Sequence, residues 1–255
     1  MKAIWSFSGT FILLVFLSSS CQKDKSDSIL YQSNAKLKQI LLYSKIESED
    51  PISIVEEYQY DDKGRISKTS SPMYDNGVIV GTIKYNLYEY NSSDQLIRIS
   101  NFNANLNSPT GYINLQNFIY TYSTDGKKIR ESIENMNGVI SEYSVYEYKD
   151  GQLVKIKKYS HDALESYTEN QYDNLGKLIK ESLFSSEGQG ISYTIHTYSG
   201  LLQVKSDLYI YQNDTQYRSI KRTFDDNNNL ITLESNELAL YSNSMSCVLR
   251  YKYYE

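Results

Sequence analysis

The sequence YQYDDKGRI, residues Tyr58–Ile66, indicates the fold of this chain. Tyr58 and Tyr60 alternate with polar residues at a period of two, which places both rings on one face of a β-strand. Asp61 can accept hydrogen bonds from backbone amides two residues further on, and Gly64 can adopt the positive φ that closes a type I turn with a one-residue bulge. The stretch therefore predicts a strand, a tight turn and the start of a return strand.

Variants of this stretch recur along the chain. With the second aromatic residue of each copy as a marker, the copies lie 24 to 32 residues apart, at Tyr60, Tyr90, Tyr122, Tyr148, Tyr172, Tyr198, Phe224 and Tyr253. Self-similarity at such a period is typical of a repeat architecture. The residues predicted to have a structural role in the turns are Asp61, Gly64, Asp125, Gly126, Gly151, Asp173 and Gly176.

Each interval has room for two strands and two connections, so each repeat is predicted to be one β-hairpin. One end of the sheet then carries the uniform turns. The other end carries connections of varied composition, such as residues 71–77 and 185–190, where loop-borne recognition is most expected. Gly188 lies in such a connection, and we expect it to tolerate a side chain better than Gly176.

The fold class that follows is all-β, an antiparallel meander of about 14 to 16 strands. Open twisted sheets rarely exceed about ten strands, so we expect this one to curl into a gutter or open barrel. The paired tyrosines should line its more buried face.

The stretches Tyr58–Ile66 and Tyr172–Leu178 resemble the YD (Rhs) repeat, whose consensus runs aromatic, Tyr, Asp, two variable residues, Gly, Arg or Lys, and an aliphatic residue. The other copies lack the Asp, the Gly or both. The resemblance covers most of residues 55–255 and implies a hairpin structure. It implies little about activity, because in large Rhs proteins the repeats form a shell around a separate toxin domain.

Residues 1–20 begin with one cation, continue with the apolar run 11–17 and end in small residues before Cys21. This order is typical of a secretory signal peptide and is too short for a stable membrane span. It resembles the lipobox of bacterial lipoproteins, and residues 22–27 resemble the charged export signal of surface lipoproteins in the Bacteroidota. The resemblance implies lipidation at Cys21 and an outer-membrane location, on the cell surface or the periplasmic face.

The polar, unpatterned residues after Cys21 predict a flexible tether over 21–35, followed by a single β-repeat domain over 36–255. The formal net charge of −5, with both signs mixed, gives no electrostatic footprint for nucleic acid. The partners expected are the membrane, through the N-terminal lipid, and a glycan or an envelope protein.

Candidate chemical groups are sparse. His161 and His196 lie in different repeats without neighbouring Cys or paired carboxylates, whereas zinc needs three or four convergent ligands. Both histidines are interpreted as solvent-facing or hydrogen-bonded, and the Asp clusters as turn formers instead of calcium ligands. Cys247 is interpreted as a small buried hydrophobe. No metal, cofactor or catalytic residue is therefore predicted.

The favoured hypothesis is a non-enzymatic envelope lipoprotein with a binding or structural role. Two alternatives stay open. One is an envelope enzyme that acts on a polysaccharide through a carboxylate pair, which would need two acids about 5 to 9.5 Å apart. The other is a lipid carrier, which would need an enclosed apolar cavity.

Overall fold

The computed structural model describes residues 36–43, 53–75, 78–105, 107–237 and 246–253. No helix in these ranges is long and apolar enough to cross a bilayer. The described residues form sixteen β-strands: β1 (Leu37–Tyr43), β2 (Ser53–Tyr60), β3 (Ile66–Asp75), β4 (Val78–Tyr90), β5 (Leu96–Ala104), β6 (Tyr112–Tyr122), β7 (Lys128–Asn135), β8 (Ile140–Lys149), β9 (Gln152–Ser160), β10 (Ala163–Tyr172), β11 (Leu178–Ser185), β12 (Gly190–Ser199), β13 (Leu202–Ile210), β14 (Thr215–Phe224), β15 (Leu230–Glu237) and β16 (Ser246–Tyr253).

The strands form one antiparallel meander in which each strand pairs with its neighbours in sequence. β1 also pairs with β16, from Leu37 opposite Tyr253 to Tyr43 opposite Val248, and this pairing closes the sheet into a barrel. The backbone of each described strand lies beside only its two neighbours in the ring. The predicted all-β meander and its curling are confirmed, and the curling proceeds past an open barrel to complete closure.

The repeated stretch itself bends the sheet. In each of the seven hairpins at the uniform end, the pairing register shifts at the second aromatic residue, as it does between Gln59 and Tyr60 and between Gln171 and Tyr172. A bulge bends its strand and increases the local twist. Because the bulge recurs once per repeat, its bending accumulates around the ring, which accounts for closure.

Pairing around the ring places the first aromatic position of every repeat on one face of the wall, here called the tyrosine face. All six buried hydrophobic side chains in the described ranges lie on this face: Ile40, Tyr58, Ile99, Tyr120, Leu249 and Tyr251. Alternate residues such as Gln59 and Glu89 lie on the opposite face and are exposed. Side chains converge inside a closed sheet and diverge outside it, so we assign the tyrosine face to the inner wall.

The second aromatic residue of each repeat links neighbouring hairpins. Its phenolic hydroxyl donates a hydrogen bond to a backbone carbonyl at the start of the preceding strand, at 2.7 to 3.0 Å. The donor and acceptor pairs are Tyr60 and Leu37, Tyr90 and Ile66, Tyr122 and Leu96, Tyr148 and Lys128, Tyr172 and Leu153, Tyr198 and Leu178, and Tyr253 and Leu230. Phe224 occupies the remaining position and has no hydroxyl to donate.

Candidate functional site

The predicted turn residues lie at one end of the barrel, where each closes its own hairpin. Asp61 Oδ1 accepts hydrogen bonds from the amides of Lys63 and Arg65, at 3.0 and 2.8 Å, and Gly64 has φ of 79°. Asp173 accepts the equivalent two bonds at 2.9 and 2.8 Å, and Gly176 has φ of 80°. These side chains satisfy backbone amides of their own turns. Neighbouring turns also meet, since Arg65 pairs with Asp94 of the next turn at 2.6 Å.

Two other turns vary this arrangement. In the third hairpin, Ser123 takes the first turn position, and its hydroxyl donates a hydrogen bond to Asp125. Asp125 also forms an ion pair with Lys127 at 3.1 Å, and Gly126 has φ of 87°. Gly151, with φ of 84°, follows Asp150 in a two-residue turn. Cys21, the predicted lipidation site, lies outside the described residues.

The opposite end of the barrel is less irregular than expected. Gly188 has φ of 84°, and its amide donates to the carbonyl of Ser185 at 3.0 Å, as Gly176 does to Asp173 at 3.1 Å. Gly188 therefore occupies the same position in the same kind of turn. The assumption that it lies in a loose connection is wrong, because a Ser at the first turn position can replace the Asp of the quoted stretch.

The tyrosine face carries one interruption. The first aromatic position is Tyr in the repeats that end β2, β4, β6, β8 and β16, but Asn170, His196 and Arg222 occupy it in β10, β12 and β14. These three residues are evenly spaced in sequence and lie in consecutive repeats. Because consecutive repeats are adjacent in the sheet, the three substitutions lie together in one area of the inner wall.

A chain of hydrogen bonds runs through this area. Glu181 Oε2 lies 2.8 Å from His196 Nε2, and His196 Nδ1 lies 3.1 Å from Ser206 Oγ. Arg222 Nη1 donates to the same Ser206 Oγ at 2.9 Å. An ionised carboxylate can only accept, so a proton on Nε2 points to Glu181; when Nδ1 then carries no proton, it accepts the hydroxyl of Ser206. His196 is 5% exposed and Ser206 is 4% exposed, so the chain is embedded in the wall.

Of these four residues, Arg222 carries a positive charge that no neighbouring carboxylate among the described residues offsets. Burial lowers the pKa of its guanidinium, and Tyr251 and Tyr198 lie near enough to oppose that shift. Burial raises the pKa of Tyr251 to about 12, and the nearby Arg222 charge lowers it in turn. Among the described residues no carboxylate forms an ion pair with Arg222. A cation that is partly withdrawn from water is stabilised by an anionic partner, so this position is suited to an anion.

Acids elsewhere on the inner wall have protein partners. Glu56 accepts the hydroxyl of Tyr58 at 2.7 Å, and Glu131 accepts that of Tyr146 at 2.9 Å. Burial, followed by the nearby glutamate, raises the pKa of each of these tyrosines. Glu131 and Glu181 stand on β7 and β11, four strands apart along the wall.

The sequence interpretation missed this network because it treated His196 as isolated. His196 and Glu181 are fifteen residues apart and meet only through strand pairing. The signal available was the loss of Tyr from the first aromatic position in three consecutive repeats. In the part of the chain that the structure describes, no group of three or more His, Cys, Asp or Glu is placed to hold a metal ion.

No protein-family model and no curated protein sequence matches the chain. A solved structure of a porin-like protein from Bacteroides uniformis ATCC 8492 is similar, with a TM-score of 0.53 at 12% identity over 86% of this chain and 98% of that chain. A porin-like protein from Bacteroides vulgatus ATCC 8482 gives 0.36 at 10% identity, over 86% and 99%. A TcdB2-TccC3-TEV chain gives 0.24 at 11% identity, over 77% of this chain and 13% of that one. At these identities the likeness to the B. uniformis protein concerns the fold alone.

Proposed function

We propose that this chain is a lipid-anchored, non-enzymatic protein of the bacterial envelope, whose YD-like barrel stands in water and binds a ligand of the envelope on its inner wall. The observation that carries the proposal is the presence of charged side chains on both faces of the barrel wall. An anchor outside the barrel is then needed to hold the protein at a membrane.

The opposite face carries ion pairs between neighbouring strands. Lys155 pairs with Glu169 at 2.8 Å, and Lys157 pairs with Glu147 at 2.5 Å. A cation on the lipid face of a membrane-spanning barrel costs about 2 to 4 kcal/mol at the bilayer midplane. Several such groups side by side favour water over lipid as the surroundings of this face.

The inner wall is also unsuited to hydrocarbon. It carries Glu56, Glu131, Glu181 and Arg222 among its tyrosines. A lipid carrier needs an apolar lining, and these acids would have to lose their hydration to contact an acyl chain. The wall fits a polar ligand.

The anchor is supplied, in this proposal, by Cys21. The charged barrel surface leaves membrane attachment to the segment before β1, and that segment resembles a lipoprotein signal followed by a lipidated cysteine. The barrel likeness to the porin-like protein of B. uniformis also supports an envelope setting. β1 starts at the end that carries the uniform turns, so those turns would lie nearest the membrane.

Two altered forms of the protein test the proposed lipid anchor and the solubility of the barrel. Cys21→Ala should abolish metabolic labelling with palmitate and release the protein from membranes. The chain from residue 22 onward, which contains every described strand, should remain in solution without detergent. A wild-type protein that takes up no label, or a barrel that is stable only in detergent or lipid, would overturn the proposal.

A further inference from the structure

We propose that Arg222 is the centre of an anion-binding site on the inner wall and that the ligand is an acidic oligosaccharide. This inference rests on the proposed function, since it names the ligand class of that binding wall.

Arg222 lies where the repeat departs from its pattern. The strand β14 departs from the pattern at both aromatic positions, with Arg222 at the first and Phe224 at the second. Phe224 cannot donate the hydroxyl that would bond the carbonyl of Gln203, the equivalent acceptor by register. Places where a sequence departs from its own structural rules without a compensating contact are typical of functional sites.

The guanidinium of Arg222 is held from one side and has donors left over. Arg222 spends one donor on Ser206 Oγ at 2.9 Å, and Ser206 is itself held by His196 and, through it, by Glu181. This series of hydrogen bonds orients the guanidinium without neutralising its charge. Its remaining donors form a planar fork, which suits a carboxylate, sulfate or phosphate group.

The side chains around Arg222 indicate what the rest of the ligand contains. Glu181 is 29% exposed at its side chain and offers acceptor oxygens at the far end of the hydrogen-bonded series that runs from Arg222 through Ser206 and His196. A ligand that meets both groups needs an anionic group at one end and hydroxyl donors further along. Tyr198 lies near Arg222 and is half-buried, and amphipathic rings are suited to contact sugars. An oligosaccharide that contains uronic acid units combines these features.

The test uses the chain from residue 22 onward, so that its outcome does not depend on lipidation. Titration calorimetry would compare an oligogalacturonate with a maltooligosaccharide of the same length and with a polyglutamate peptide. We expect binding of the oligogalacturonate alone. Equal binding of the neutral sugar, binding of the peptide alone or no binding of the acidic sugar would overturn the inference and leave the proposed location untouched.

Variants then assign the site. Arg222→Gln should weaken the affinity about ten- to hundredfold, because it removes charge-assisted hydrogen bonds. Arg222→Lys should retain part of the affinity. The matched control is Arg98→Gln, which removes the same charge from the opposite face, where Arg98 lies 3.5 Å from Glu134, and should leave the affinity unchanged.

Thermal unfolding separates binding from a structural role. If Arg222 serves a ligand, Arg222→Gln should melt at the same temperature as the wild type or higher, because it removes a half-buried charge that forms no ion pair with a described carboxylate. Arg222→Gln that melts lower while binding is unchanged would make the residue structural and overturn the inference. If Arg222→Gln fails to fold, Ser206→Ala provides the second test. It keeps the cation and removes the hydrogen bond that orients it, and we expect the affinity to fall about threefold to tenfold. An unchanged affinity of Ser206→Ala would overturn the inference.

Discussion

The phenolic hydroxyl of Tyr60 in β2 donates a 2.7 Å hydrogen bond to the backbone carbonyl of Leu37 in β1. The bond crosses from one hairpin to the preceding one, so it connects neighbouring repeats instead of stabilising a single turn. The same bond recurs at six further positions around the ring, as given above. It gives the second Tyr of the repeat a role that the first Tyr, which packs on the inner wall, does not have.

Removing one of these bonds should destabilise the barrel by a small and predictable amount. Tyr172→Phe deletes the bond to Leu153, made at 2.8 Å, and leaves the ring in place. We expect the free energy of unfolding to fall by about 0.5 to 1.5 kcal/mol, measured by urea denaturation. Phe224→Tyr makes the reverse change and should stabilise the barrel. An unchanged stability of Tyr172→Phe would show that the bond is replaced by water without loss.

The turn glycines should be sensitive at both ends of the barrel. Gly176→Ala and Gly188→Ala each place a side chain at φ of 80° or 84°, which should cost about 1 to 2 kcal/mol. Gly176→Asn should cost less, since Asn228 and Asp94 occupy the same turn position at φ of 62° and 61°. Thermal melting of the three variants would measure the order.

Gly81 provides the control for these substitutions. It lies in β4 outside the positive φ region, and an added Cβ would meet only the flexible end of Met73, at 3.5 Å. Gly81→Ala should therefore leave the melting temperature close to that of the wild type. A fall as large as that of Gly176→Ala would mean that backbone conformation is not the cause.

The seam between β1 and β16 should be the most sensitive part of the core. Ile40 is 1% exposed and packs with Tyr58, Leu249 and Tyr251. Ile40→Ala should cost about 2 to 5 kcal/mol by leaving a cavity. Ile83→Ala, at a residue that is 50% exposed, is the matched control and should cost far less. Equal losses would indicate that the seam does not hold the barrel closed.

The local parts of the fold were predictable because they are encoded within a few residues. Asp61 and Gly64 act on their own turn, and the alternation of Tyr58 and Tyr60 assigns its strand face without help from the rest of the chain. The strand count followed from the spacing of such stretches. Closure was not predictable, because the β1–β16 pairing joins residues from opposite ends of the repeat domain and depends on the summed effect of the bulges.

The inner-wall network was hidden for a related reason. Glu181, His196 and Ser206 come from three strands, and their contact depends on pairing registers such as His196 opposite Ser206. A register shift of one residue would move His196 to the opposite face. The sequence shows the interruption of the Tyr column, but only the register shows which groups the interruption brings together.

The tyrosines of the inner wall should make the barrel sensitive to alkali. Burial, with nearby glutamates contributing, raises the pKa of Tyr58 and Tyr146, and burial raises that of Tyr251 to about 12. Their ordinary value is near 10. Since the folded protein keeps these groups neutral, their contribution to stability is complete below pH 10 and is lost as the pH rises toward the folded-state values.

We therefore expect unfolding above about pH 10 to coincide with ionisation of the buried tyrosines. Circular dichroism and the ultraviolet absorbance of tyrosinate, recorded on the same samples, would follow the two events. Tyr251→Phe removes one titrating group and should move the alkaline midpoint to higher pH, whereas Tyr209→Phe on the opposite face should leave it in place. If all tyrosines ionise while the strand signal persists, the inner wall is already open to hydroxide, and burial does not keep these phenols neutral.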